Sequence, residues 1–211
     1  MSDQAWLARR WQELWAPYPI GSVALESAFA DLIRHYDDPA RAYHNLHHLR
    51  HVLTTVDSLA HSAGDVRTVQ LAAWFHDVIY DPRASDNEER SAAFAAAELR
   101  GFGLPEHTIQ RVGELILLTK THAVPPGDAD AAVLLDADLV ILGAPPAEYA
   151  AYALGIRQEY AHVSDADFRR GRRAVLERFL QRTRLFQTDP MHAALDAPAR
   201  RNLRDEIARL A

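Results

Sequence analysis

Apolar residues recur three and four positions apart along almost the whole chain, and no segment alternates apolar and polar residues as a half-buried strand does. That spacing predicts helices over 5–15, 22–35, 45–61, 66–79, 87–100, 106–120, 130–142, 147–162, 165–186 and 198–210, and therefore an all-α fold. The end signals agree with it. Asp65 precedes the 66–79 helix, Asp86 with Glu89 reads as a capping box, Gly101 and Gly103 follow an alanine-rich helix, and Pro125-Pro126-Gly127 reads as a loop. The 211 residues, 48% hydrophobic, suffice for one substantial core. With no internal repeat, low-complexity tract or linker, one helical domain over 1–211 is expected. Its motifs lie within 42–143, and an arginine-rich 146–211 segment packs beside them.

Composition excludes several chemistries. The chain has no cysteine, which removes disulfides, thiolate metal sites and cysteine nucleophiles together, so any metal must be held by nitrogen and oxygen. No stretch approaches the roughly 20 apolar residues needed to cross a bilayer, and Met1-Ser2-Asp3-Gln4 begins no secretion signal. A soluble, cytoplasmic protein without a membrane partner is expected. The net charge of −6 speaks against nucleic acid as the main partner, and the basic run Arg169-Arg170-Gly171-Arg172-Arg173 reads as a solvated helix face. Of 23 lysines and arginines only Lys120 is a lysine, which singles it out.

Three short elements carry chemistry. Tyr43-His44-Asn45-Leu46-His47-His48 comes first; His44 and His48, four apart, share an inward face that continues to Val52 if one helix includes both. His47 and His51 form a second pair turned toward the helix flank. Next comes His76-Asp77 at the end of the apolar run Leu71-Ala72-Ala73-Trp74-Phe75. A carboxylate buried there without a partner is very costly, and a metal ion is one partner that removes the cost. Last is Leu134-Leu135-Asp136-Ala137-Asp138-Leu139, whose two carboxylates diverge by about 200° on a helix, so spacing alone does not choose between them. Tyr43 and Trp74 beside these elements read as core.

A histidine, then a His-Asp doublet, then a late aspartate resembles the HD superfamily of metal-dependent phosphohydrolases. Tyr43-His44-Asn45 with His48 is similar to the signature of its cyclic-nucleotide phosphodiesterases. The likeness spans residues 43–143. It implies an HD-type helical bundle in which His48, His76, Asp77 and Asp138 hold a metal. Asp136 then supports the ligands from behind or forms a salt bridge, and His44 protonates the leaving oxygen. Cyclic-nucleotide specificity is not implied, because the chain is too short and has no purine-clamping glutamine segment. Such a donor set suits Mn²⁺, Fe²⁺, Co²⁺, Ni²⁺ or Zn²⁺, with Asp77 able to bridge to a second ion such as Mg²⁺ or Mn²⁺. The expected reaction is hydrolysis of a phosphoester or phosphoanhydride of a small molecule, plausibly a nucleotide, by metal-activated water.

Four further residues are candidates for substrate or a second metal. Lys120 and His122 end the helix that lies between the doublet and Asp138; both could bind phosphate or complete a second site, or simply cap a helix C-terminus. Glu88 shares a face with Ala92 and Ala95, so it is better placed than Glu89 for a water or second ion. Arg157, on the stripe of Ala150, Ala153, Leu154 and Ala161, either pairs with an acid or receives a phosphate. Two rival readings stay open. A di-iron oxygenase of the same fold would recruit His107 and His122, and a nucleotide-sensing or interaction module would do no chemistry.

Overall fold

The computed structural model describes residues 1–210, and among them every regular element is helical. The helices are α1 (Asp3–Trp15), α2 (Ser22–Tyr36), α3 (Leu46–Ser58), α4 (Val66–Phe75), α5 (Asn87–Gly101), α6 (Glu106–Thr119), α7 (Ala129–Asp138), α8 (Pro146–Glu159), α9 (Asp165–Leu180) and α10 (Asp189–Arg209). Short 3₁₀ turns, Ala60–Ser62 and Val140–Gly143, follow α3 and α7. None is long and apolar enough to cross a membrane.

The core is organised around α4, which α3, α5, α6 and α7 surround. Its residues Val69, Leu71, Ala72, Ala73, Trp74 and Phe75 are all at most 1% exposed, an all-round burial that fits its nearly unbroken apolar sequence. Helix α1 closes one end: Trp11 meets Trp74 edge to face at 5.1 Å and Trp15 meets Phe102 at 4.8 Å, geometries that favour aromatic pairs. At the end of α5, Gly103 takes φ +75°, which glycine adopts without strain, and the amides of Gly103 and Leu104 close the helix on Arg100 and Leu99.

The helix expected over 165–186 ends at Leu180 and the one expected over 130–142 ends at Asp138, and the structure departs from the sequence expectations in four further places. The helix read as 66–79 ends at Phe75, so His76 and Asp77 lie in the turn leaving α4. Helix α3 starts at Leu46, capped by the Asn45 side chain, so His44 precedes it in a loop. Asp65 caps α4 as expected, but Asp86 makes no side-chain cap and Glu89 turns to Lys120 instead, so there is no capping box. Helix α10 begins nine residues before Pro198 and contains it. An interior proline costs a helix about 3 kcal/mol, and burial of Met191, Asp196, Ala199 and Leu203 along one face offsets this.

Candidate metal centre and cleft

Four donor atoms from three segments converge at the ends of α3, α4 and α7. Their placement follows from local structure. The Asn45 cap, accepting from the amides of His47 (2.9 Å) and His48 (3.4 Å), sets His48 in the first turn of α3 with its side chain inward. His76 follows the last residue of α4, where its Nδ1–H donates to the Ala73 carbonyl at 2.8 Å, leaving Nε2 aimed into the cluster. Asp138 is the last residue of α7. His48 Nε2 stands 3.2 Å from His76 Nε2, 3.5 Å from Asp77 Oδ2 and 3.4 Å from Asp138 Oδ1. His76 Nε2 stands 3.2 Å from Asp77 Oδ2 and 3.5 Å from Asp138 Oδ1.

These separations are the fit test for a metal. Atoms about 2.0–2.2 Å from a common ion stand roughly 3.0–3.5 Å apart, depending on whether the angle at the ion is nearer 90° or tetrahedral. The five spacings among His48, His76 and the two carboxylates are 3.2–3.5 Å, and His48, His76 and Asp138 form the group whose donor atoms all lie within 4.8 Å of one another, with Asp77 set against both imidazoles outside that group. The electrostatics point the same way. Burial alone would push the Asp77 and Asp138 carboxyls up, but the charge of His76 on Asp77, and hydrogen bonds from His122, His48 and His76 on Asp138, hold both well below the usual range. Burial would likewise push the imidazoles down. The carboxylates outweigh it, raising His48 and raising His76 strongly. Two buried imidazoles facing two part-buried carboxylates form a group that could hold a metal, and the nitrogen and oxygen donors are of the kind that suit a divalent transition ion.

The doublet works because it has left the helix. On a helix, neighbouring side chains diverge by about 100° and would not both face one ion. In the turn His76 Nε2 and Asp77 Oδ2 come within 3.2 Å of each other, and the amide of Asp77 is held by the Tyr36 hydroxyl at 3.2 Å. The choice between the two late aspartates is equally physical. Asp138 joins the cluster, whereas Asp136, 1% exposed, points to the opposite side and accepts from the Gln187 amide, the Thr188 amide and the Thr188 hydroxyl, each at 2.7 Å. It therefore anchors the segment after α9 rather than forming a salt bridge. Burial nonetheless keeps its carboxyl above the usual range.

Two residues that sequence reasoning did not single out complete the site. Glu159, the last residue of α8, has a side chain with no exposure. One of its oxygens accepts from the amides of Tyr43 (2.7 Å) and His44 (2.9 Å); the other accepts from His44 Nδ1 (2.7 Å) and the Tyr80 hydroxyl (2.9 Å). The His44 ring also stacks on Tyr80 at 4.2 Å. Gly155, one turn earlier on α8, permits this approach: a Cβ there would come within 3.2 Å of Tyr43 Cβ. Arg41, 7% exposed, is the second. Its guanidinium donates to the carbonyls of Asp77 (2.7 Å), Val78 (2.9 Å) and His44 (3.1 Å), tying the His44 loop to the doublet turn.

A cleft of about 710 Å³ opens beside the cluster, with His44 and His122 in its wall and α8 and α9 facing them. His122, in the turn after α6 at φ +50°, hydrogen-bonds Asp138 Oδ2 at 2.8 Å, so it adjoins the cluster. Lys120 borders the cleft but bonds the Ser85 carbonyl and Glu89. Glu88 faces Lys120 Nζ at 3.8 Å, not the cluster. Arg157 is not brought to the site: its guanidinium is taken by the carbonyls of Tyr160 and Val163 and by Asp165, and it lies over the Phe168 ring. His107 is exposed in the first turn of α6, and His47 is exposed beside Asp3. Tyr43 and Trp74 pack in and against the core as expected.

The arginine run is only partly a solvated face. Arg169, Arg170 and Arg173 are exposed, but Arg172, on the face of α9 shared with Phe168, Val175 and Phe179, turns inward to Glu206 (2.7 Å) and borders the cleft. A run of adjacent residues samples every direction around a helix, so one of them had to face in. The chain matches no protein-family model, no curated protein and no solved structure, so the functional reading stands on this geometry.

Proposed function

We propose that the protein is a metal-dependent phosphohydrolase of the HD type, with His48, His76, Asp77 and Asp138 holding a divalent ion and a small phosphorylated molecule as substrate. The observation that carries this reading is the convergence of His48, His76 and Asp138, whose donor atoms lie within 4.8 Å of one another, with Asp77 against both imidazoles, beside a cleft that also presents a carboxylate-held histidine. When bound, the ion would supply Lewis-acid polarisation of a phosphoryl oxygen and acidification of water.

The remaining chemistry belongs to the chain. With Nδ1 committed to Glu159, His44 keeps Nε2 free for proton exchange with a departing oxygen, and the Tyr80 stack fixes the ring plane. Arg41 keeps His44 and the doublet in register, since one guanidinium binds carbonyls from both segments. His122 orients Asp138. Tyr152, Tyr160 and Phe168 give the cleft flat apolar walls suited to a ring, which favours a nucleotide among phosphorylated small molecules.

A screen of phosphoesters and phosphoanhydrides tests this. His76→Ala and Asp138→Ala should lose both metal and turnover. Wild-type protein that carries metal yet hydrolyses none of them would refute it. His122 beside Asp138 supports one second reading, the di-iron oxygenase. That reading has lost His107, and it demands two irons per chain with oxygen consumption.

A further inference from the structure

Lys120, Arg172, Arg178 and Arg182 are the cations that border the cleft, and two of them are already neutralised. Glu206 pairs with Arg172, and Glu89 with Lys120. The acid bordering the cleft, Asp167, is taken by Arg170 and Ser164. Arg178 and Arg182 are different. Among the described residues Arg178 has no hydrogen bond or ion pair, and Arg182 donates only to the carbonyls of Thr121 (2.8 Å) and His122 (2.7 Å), with its guanidinium 4.7 Å from the Phe179 ring centroid. Burial, and then the charge of Arg178, push the Arg182 guanidinium below its usual pKa, so no acid offsets either effect at Arg182. The C-terminus of α9 favours a cation nearby, but that dipole does not require two guanidiniums to face one cleft.

We infer that Arg178 and Arg182 form a second anion site, and that the ligand carries two linked anionic groups, one at the metal cluster and one at the arginines, as the adjacent phosphoryl groups of a condensed phosphate do. A guanidinium fork matches a phosphoryl group's oxygens in pairs, which an ammonium does not. Arg182 holds the backbone of His122, whose ring bonds Asp138, and Arg178 borders the same cleft, so the arginines lie on the side of the cleft that His122 links to the cluster. A monoester would leave both guanidiniums without an anion. This deepens the proposed function, choosing phosphoanhydride over monoester, and rests on it only for the group at the cluster.

Calorimetric titration of the metal-containing protein with inorganic phosphate and with methylenediphosphonate, whose P–C–P link resists hydrolysis, tests the site. Wild type should bind the diphosphonate at least about tenfold tighter than phosphate. Arg178→Ala should remove most of that preference while changing phosphate affinity by less than about threefold, the loss expected for one charge-assisted contact. Arg178 is exposed and unpartnered, so that variant should fold. Arg182→Lys, which keeps a donor for the 121–122 turn, should act likewise with unchanged melting temperature and metal content. Equal binding of both probes to wild type, or a preference that survives in Arg178→Ala, would overturn the inference. Arginine-dependent preference in a protein that hydrolyses nothing would sink the phosphohydrolase reading and leave the anion site standing. Monoester hydrolysis without the preference would do the reverse.

Discussion

Asp136→Ala should destabilise the protein by about 3 kcal/mol without removing its metal. The carboxylate accepts three hydrogen bonds of 2.7 Å, from two amides and a hydroxyl in the 187–188 segment. Hydrogen bonds to a charged acceptor contribute about 1.5–3 kcal/mol each, and truncation leaves the buried Thr188 donors unpaired. Against that, alanine removes a charge that is itself costly to bury, a cost visible in the raised carboxyl, so the net falls well below the sum of three bonds. About 3 kcal/mol corresponds to a melting shift of roughly 6–12 °C for a chain of this size. Urea unfolding of chelator-treated wild type and variant isolates the effect from metal binding, which would otherwise add its own stabilisation. A loss under about 1 kcal/mol would refute the anchoring argument. Metal loss at full stability would instead make Asp136 the ligand.

Other outcomes follow from the same geometry. His44→Ala should keep its metal and lose turnover by about 100-fold or more, whereas Glu159→Gln should lower kcat, shift its pH profile and leave KM near wild type, as expected of a group that acts by positioning His44. Gly155→Val should cost about 1–3 kcal/mol in denaturant unfolding, because its side chain meets Tyr43 Cβ and the Ala42 carbonyl, and Gly155→Ala less. Acid should weaken the fold below about pH 4. Burial pushes Asp128 and Asp196 up, but Arg111 and Arg200 outweigh it and hold both carboxyls below their unfolded value of 3.8. Folded pKa values below unfolded ones mean that this stability is present above pH 3.8 and is lost as pH falls through the folded values, so thermal melts of Asp196→Asn should show a flatter acid limb.

The helices were legible because burial imposes a three-to-four spacing that the chain keeps almost throughout. The ends were less so. Residues 181–188 continue the apolar pattern of α9 but hang on Asp136, and Pro198 hid the first half of α10. His48, His76, Asp77 and Asp138 stood out as polar groups in apolar runs, but their convergence depends on a turn after Phe75 that periodicity does not mark. Glu159 was missed because its partner lies 115 residues away. A signal existed: it continues the stripe of Tyr149, Tyr152 and Ile156, and an acid on such a stripe needs a donor. Arg157, chosen by the same logic, instead turns back over its own helix end. Arg41 and the pair Arg178 and Arg182 carry no local mark at all, since only the tertiary fold decides which arginines face a carbonyl, an acid or an open cleft.

The metal content of protein purified without a metal-affinity step, measured by plasma mass spectrometry for wild type and for Asp138→Ala, tests the central claim most directly. The converging donors of His48, His76, Asp77 and Asp138 predict about one divalent transition-metal ion or more per chain in wild type and its loss in the variant, with the variant still folded. Wild-type protein that holds no such ion and takes none up from Mn²⁺, Fe²⁺, Co²⁺, Ni²⁺ or Zn²⁺ would contradict the account.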